Sequence, residues 1–300
     1  MKRNREEELN RFIENITRAC GSKFFSYNIN ADNAVVPTRN LGLFFNRLLA
    51  ITEDLFKGVP LKKLRILDLG SYEGINSIPF AQLGAKVVSV EGREVNFTKM
   101  KFAKEYLGLK KLEVVQADVR TVTKEKYGEF DLVLACGIMY HLDAESVFTV
   151  AKNIFEMTKT AAIIDTHIAL AIHGAHTYDG RTYSGIPHKE FEPDASAYTK
   201  KFSLANSLDN NESFWFTKIS WLNLLKSLGW NNVYECFLPH VEGEKSYYDR
   251  ATFVAVKNPR FKSFFQIPAQ VDFLPEQIGK RVSTFQDQTK IPGDNGIIVR

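Results

Sequence analysis

Between residues 65 and 167 the chain alternates short apolar runs with stretches of helical periodicity. That alternation constrains the fold strongly, because it is the pattern of parallel strands covered by helices on both faces of a sheet. The strand candidates are Arg65–Gly70, Lys86–Glu91, Leu112–Asp118, Asp131–Cys136 and Ala161–His167. Between them, Ile75–Leu83, Glu94–Leu107 and Glu145–Thr158 are the expected helices. In the second of these, Phe97, Met100, Ala103, Tyr106 and Leu107 share one stripe, and Gly108 stops the helix. A further helix, Lys218–Leu228, ends at Gly229, and the runs Asn232–Pro239 and Ala251–Lys257 follow it. Two strands so placed predict an antiparallel hairpin closing one edge, for a mostly parallel, doubly wound α/β sheet of seven strands.

The flanks break this rhythm. Residues 1–60 read as an N-terminal helical cap, with Glu6–Cys20 and Leu41–Phe56 on either side of an irregular Phe24–Thr38. Residues 61–258 carry the sheet. Within them, 170–212 is rich in Gly, His, Tyr, Ser, Asp and Asn without a long periodic run, the composition of an inserted lid. Residues 259–300 form a C-terminal extension with aromatic and proline content. It suits wrapping the core or pairing with a second copy, which leaves monomer and homodimer both open.

Composition removes other classes. Hydrophobic residues make up 44% and charged residues 25% of the 300, the balance of a globular domain. Cys20, Cys136 and Cys236 lie far apart without CxxC spacing, which suits a reducing cytoplasm and no zinc cluster. The most apolar stretch, Ala161–Ile172, is interrupted by Asp165 and His167 and is too short to span a bilayer. The net charge of +4 is small, and its excess sits on the flanks. A surface built to grip many phosphates concentrates basic charge more than this.

The strongest local signal is Asp68-Leu-Gly70-Ser71-Tyr-Glu-Gly74, a strand running into a glycine turn and then a helix. Glycines there let the backbone approach a ligand, and the following helix N-terminus favours negative charge. Neither GxGxxG nor GxxxxGK[ST] is present. In register with the turn, the second strand ends in Glu91-Gly92, whose carboxylate suits two vicinal ribose hydroxyls. The third ends in Asp118-Val119, one polar and one apolar wall for an adenine. The fourth ends in Ala135-Cys136-Gly137 and runs into Met139-Tyr140-His141. All lie at the carboxyl ends of expected parallel strands, where open α/β sheets bind ligands.

With these residues in register, the chain over about 60–257 resembles the class I S-adenosylmethionine (SAM) methyltransferases, a Rossmann-like fold. Asp68–Gly74 looks like their first motif, Glu91 stands where their ribose-binding acid stands, and Asp118 where their adenine-contacting acid stands. Tyr72 departs from the glycine that many members carry. The resemblance implies SAM as cofactor, held by Asp68, Gly70, Ser71, Gly74, Glu91, Gly92, Asp118, Val119 and Cys136. Val90–Asn96, Gly137–Leu142 and Ser213–Thr217 are similar to a subgroup that includes tRNA wobble-uridine carboxymethyl-transferring enzymes and small-molecule methyltransferases. Methylation of oxygen or nitrogen on a small-molecule acceptor is the leading expectation. The alternatives are a tRNA modifier using a carboxylated SAM, and a SAM-fold binding protein without catalysis.

Methyl transfer to a protonated atom needs a base. The candidates are His141 after the fourth strand, and Asp165 and His167, which alternate on one face of the fifth. His173, His176, His188 and Asp179 match no tight ligand spacing, so no metal is expected. The aromatic group Tyr178, Tyr183, Phe191, Tyr198, Phe202, Phe214, Trp215, Phe216 and Trp221 divides between core and an acceptor pocket with flat walls.

Overall fold

A computed structural model describes residues 2–20, 27–29, 35–37, 41–204, 206–236 and 249–257. The expected C-terminal extension, 259–300, and most of the segment before the last strand lie outside them. In chain order, helix α1 (Lys2–Cys20) is followed by strands β1 (Tyr27–Ile29) and β2 (Val35–Pro37) and helix α2 (Leu41–Leu55). The alternating core runs β3 (Arg65–Leu69), α3 (Ser77–Gln82), β4 (Lys86–Glu91), α4 (Glu94–Tyr106), β5 (Leu112–Gln116), α5 (Lys124–Tyr127), β6 (Phe130–Cys136), α6 (Ala144–Met157) and β7 (Thr158–His167). Then come β8 (Gly174–Tyr178), β9 (Arg181–Lys189), α7 (Ala197–Phe202), β10 (Glu212–Phe216), α8 (Lys218–Ser227), β11 (Asn232–Cys236) and β12 (Arg250–Val256).

Seven strands form the central sheet in the order β11-β12-β7-β6-β3-β4-β5. Five are parallel; β12 runs antiparallel to both β7 and β11, the edge hairpin expected from the sequence. The chain enters at β3, moves outward through β4 and β5, then returns to β6 on the other side. The switch point between β3 and β6 opens a crevice at their carboxyl ends.

Alternation along the strands builds two cores. Leu67, Val88, Val133, Ala162 and Ile164 face α6 and α8, burying Trp221 and Leu224. Ile66, Val87, Leu132, Leu134 and Ile163 face the other way, against Phe80 of α3 and Leu48 of α2. Each such aliphatic side chain contributes roughly 1.5–3 kcal/mol when fully buried. The N-terminal helices share this second core: Phe12 of α1 stacks on Tyr106 of α4 at 4.3 Å, and Phe45 of α2 meets Phe80 edge-on at 5.1 Å.

The insertion differs from the irregular lid that its composition suggests. Strands β8, β9 and β10 make a small antiparallel sheet, and Ser213–Phe216 form part of its third strand. The hairpin turns at Asp179-Gly180, both with positive φ (48° and 72°). This is the Asp-Gly pair that a two-residue hairpin turn favours. A Cβ on Gly185 would stand 2.2 Å from the Trp215 carbonyl, so this crossing of β9 and β10 admits only glycine. Among the described residues, no helix is long and apolar enough to cross a membrane.

Candidate functional site

The turn after β3 is left-handed at every second residue: φ is 64° at Gly70, 56° at Tyr72 and 88° at Gly74. Gly70 is fixed by crowding as well, since a Cβ there would lie 2.7 Å from the Ile138 Cβ. Tyr72, which carries a side chain in this conformation, donates its backbone N–H to Glu91 Oε2 at 2.8 Å. Ser71 is buried and donates its own N–H to the Val90 carbonyl. Beneath the turn, Glu73 and Lys99 form a buried ion pair at 2.7 Å. Asp68 also lies beneath it, its Oδ2 accepting from the Ser77 hydroxyl at 2.5 Å. Burial pushes its carboxyl up to about 7. Asp68 thus braces the turn from below.

Glu91 is 8% exposed at the end of β4. Its Oε1 accepts the Arg93 N–H at 2.8 Å, so each oxygen holds one backbone donor and keeps further acceptor capacity. Burial pushes this carboxyl up to about 7 as well, against the opposing pull of those two N–H bonds. Beyond the neighbouring strand β5, Val119 is buried and Asp118 is tied to Arg120, whose Nη2 reaches Asp118 Oδ2 at 2.5 Å and Asp209 Oδ2 at 2.6 Å. Burial works to raise the Asp118 carboxyl, and the bonds from Arg120 outweigh it and hold it below the usual range.

The insertion is fastened over these strand ends. Arg93 donates to the carbonyls of Lys200, Lys201, Asn206 and Ser207, the last three at 3.0–3.1 Å. Leu208 sits over Gly92, 2.8 Å from where a Cβ would stand. Glu190 joins His141 Nδ1 at 2.9 Å through one oxygen and accepts the Ser207 N–H at 2.7 Å through the other. His141 is therefore the strand-end half of a latch.

At the other end of the crevice, half-buried Cys136 closes β6, its thiol pushed well above its usual range by desolvation. Gly137 follows with φ 90°, donating to the Asp165 carbonyl at 2.9 Å. Asp165 is 0% exposed. Its Oδ1 accepts from Arg250 Nε (2.6 Å) and Nη2 (2.5 Å), and its Oδ2 from Thr252 Oγ1 (2.5 Å) and Arg47 Nη2 (3.2 Å). His167 Nδ1 lies 3.3 Å from Asp249 Oδ2. Burial first, then the Arg250 charge, lowers the His167 pKa. Its ring stacks on Trp215 at 4.7 Å, His188 stacks on Trp215 at 4.1 Å, and Tyr140 meets His167 edge-on at 4.6 Å.

The expected cofactor residues stand at or beneath the carboxyl ends of β3, β4, β5 and β6, while the expected bases part company: His141 latches the insertion, Asp165 anchors two arginines, and His167 faces the aromatic group. Among the described residues no three His, Cys, Asp or Glu side chains converge as metal ligands; His176 instead packs edge-on against Phe214. Sequence reasoning missed Arg47, Arg93, Asp249 and Arg250. Arg93, two residues past the strand-end acid, had a positional signal; the others stand outside any local motif.

Glycines and strand-end carboxylates in this arrangement fit an adenosine-bearing cofactor. Residues 66–161 match the family model described as a methyltransferase domain. The order and direction of the strands in the central sheet are those of the Rossmann-like methyltransferase fold. Two curated relatives are named ubiquinone biosynthesis O-methyltransferase. The one from Ruegeria sp. (strain TM1040) is 33% identical over 34% of this chain and 41% of its own length. That from Bartonella quintana (strain Toulouse) is 30% identical over 38% of this chain and 46% of its own. The chain thus spans less than half the length of these relatives. Among solved structures, the N-terminal domain of EvdMO1 with SAH bound superimposes with a TM-score of 0.62 at 22% identity. The match covers 82% of this chain and 95% of that one, a likeness of fold.

Proposed function

We propose that this chain binds SAM in the crevice between Glu91 and Gly137 and methylates oxygen or nitrogen on a small-molecule acceptor. The observation that carries the reading is Glu91: a buried carboxylate at the carboxyl end of β4, the strand next to β3, fixed by two backbone N–H groups, with lone pairs left for vicinal hydroxyls. When bound, SAM supplies an activated methyl electrophile. The protein's own residues orient the partners and exclude water, since transfer from such a donor needs proximity and line-up above all. Leu208 and the Arg93-held segment cover the Glu91–Gly92 end. Tyr140, Trp215, His167 and His188 offer flat walls to the acceptor.

His167 is the proton acceptor in this reading. Asp249 Oδ2, 3.3 Å from Nδ1, favours the proton on that nitrogen and the basic lone pair on Nε2, and burial lowers the ring's pKa, which favours the neutral form. Asp165 is unsuited to that role, because both its oxygens are committed to cations and a hydroxyl. A small acceptor is supported by the aromatic group around Trp215 and by the printed names of the curated relatives. The test is to incubate the protein with methyl-labelled SAM and, separately, low-mass metabolite and tRNA fractions of cells. Label moving into the low-mass fraction is expected; label moving into tRNA contradicts the small-molecule acceptor.

A further inference from the structure

Two guanidinium groups share the Asp165 carboxylate: Arg47 from α2 on Oδ2, Arg250 from β12 on Oδ1. The other titratable groups around them, Cys136, Cys236 and Tyr140, have pKa values raised by burial and are neutral. Buried Asp165 and the two half-buried guanidiniums it holds thus carry one net positive charge between them, while the nearby Asp249, 35% exposed, faces His167. Arg47 is 15% exposed and spends Nη2 on Asp165 and Thr252. Its Nε and Nη1 are buried and have no acceptor among the described residues; Phe44 lies 4.9 Å below the guanidinium as a partial, non-directional partner.

Buried donors without acceptors are costly, and a bound anion is one way to complete them, here beside a carboxylate that two cations share. On the other side of Asp165, Arg250 extends to the Gly137 end of the crevice: a Cβ on Gly137 would lie 3.8 Å from both Arg250 Nη2 and the Tyr140 hydroxyl. The cationic cluster thus abuts the place where the proposed cofactor and acceptor meet.

We infer that Arg47, with Arg250 held beside it by Asp165, forms a binding site for a carboxylate. A monoanion matches the single net charge, and a planar carboxylate matches guanidinium donors. This rests on the methyltransferase reading, which places SAM in the crevice. The carboxylate belongs either to the cofactor's amino-acid arm or to the acceptor, and the two sources separate experimentally.

Calorimetry on the full chain and on Arg47→Met compares SAH with 5′-methylthioadenosine, which lacks the amino-acid arm. With SAH present, it also compares benzoate with its neutral isostere benzamide. Loss of about 10–100-fold in SAH affinity with 5′-methylthioadenosine unchanged assigns the site to the cofactor. Unchanged SAH affinity with the preference for benzoate over benzamide abolished assigns it to the acceptor. Either result supports the site, and Arg47→Lys should recover part of the loss. SAH affinity and benzoate preference both unaltered would overturn it, as would a fall in melting temperature with SAH and 5′-methylthioadenosine weakened alike, which makes Arg47 a structural tie. Failure of the unaltered protein to bind SAH at all would instead refute the methyltransferase reading.

Discussion

The backbone N–H of Tyr72 donates to Oε2 of Glu91 across 2.8 Å, so the turn after β3 and the acid at the end of β4 are one unit. Tyr72 holds that geometry at φ 56°, where a side chain costs roughly 1–2 kcal/mol. Tyr72→Gly relieves that strain and keeps the N–H, while adding freedom to the unfolded chain. The expected outcome is a melting temperature within a few degrees of the parent and undiminished SAH affinity. A large loss of affinity would mean that the phenol, not the backbone, serves the cofactor.

Arg93 ties β4 to the insertion through four carbonyls. Arg93→Ala should raise amide exchange across residues 200–208 by about 10–100-fold, as expected on losing one or two net charge-assisted hydrogen bonds. Lysine cannot reproduce the planar fork, so Arg93→Lys should behave nearly the same. Exchange unchanged in both variants would show that other contacts hold the segment.

The Glu91 carboxyl titrates near 7 in the folded chain, well above its unfolded value. An acid so raised binds protons more tightly when folded. Its stabilising contribution is complete below the unfolded pKa of about 4.3 and is lost as pH rises through about 7. Asp68, raised for the same reason, acts in the same window. Without cofactor, Glu91→Gln should therefore gain stability relative to the parent between about pH 5 and 8, measured by urea unfolding. A difference independent of pH would place the ionisation of Glu91 elsewhere.

His167 and His141 should separate in kinetics and dynamics. His167→Ala should lower kcat by about 100-fold or more, the usual scale for a lost general base, with SAH affinity intact. His141→Ala, which frees Glu190, should loosen residues 190–207 under limited proteolysis and change kcat less. Equal kinetic losses in the two would contradict the division.

The sheet was legible because β3–β7 are apolar runs with helices between them, and β3, β4, β6 and β7 are buried on both faces. Glu91 was legible because it stands where the β4 pattern stops, and Asp118 because it follows the apolar run of β5 by two residues. The arginines were not: Arg47 and Arg250 stand 203 positions apart and meet only because β12 pairs with β7 while α2 crosses the same strand ends. Asp165 looked like a base for the same reason, since its partners are invisible from its neighbours. The hairpin in the insertion could have been found, because Asp179-Gly180 is a turn signal between Tyr178 and Arg181; the surrounding polar residues masked it.

Calorimetric titration of SAH into the parent protein and into Glu91→Ala tests the central claim most directly. The account predicts micromolar binding by the parent. It predicts a loss of about 3–6 kcal/mol on substitution if both ribose hydroxyls are held by charge-assisted bonds worth about 1.5–3 kcal/mol each. Equal affinity in the two proteins, or no binding by the parent, would contradict it.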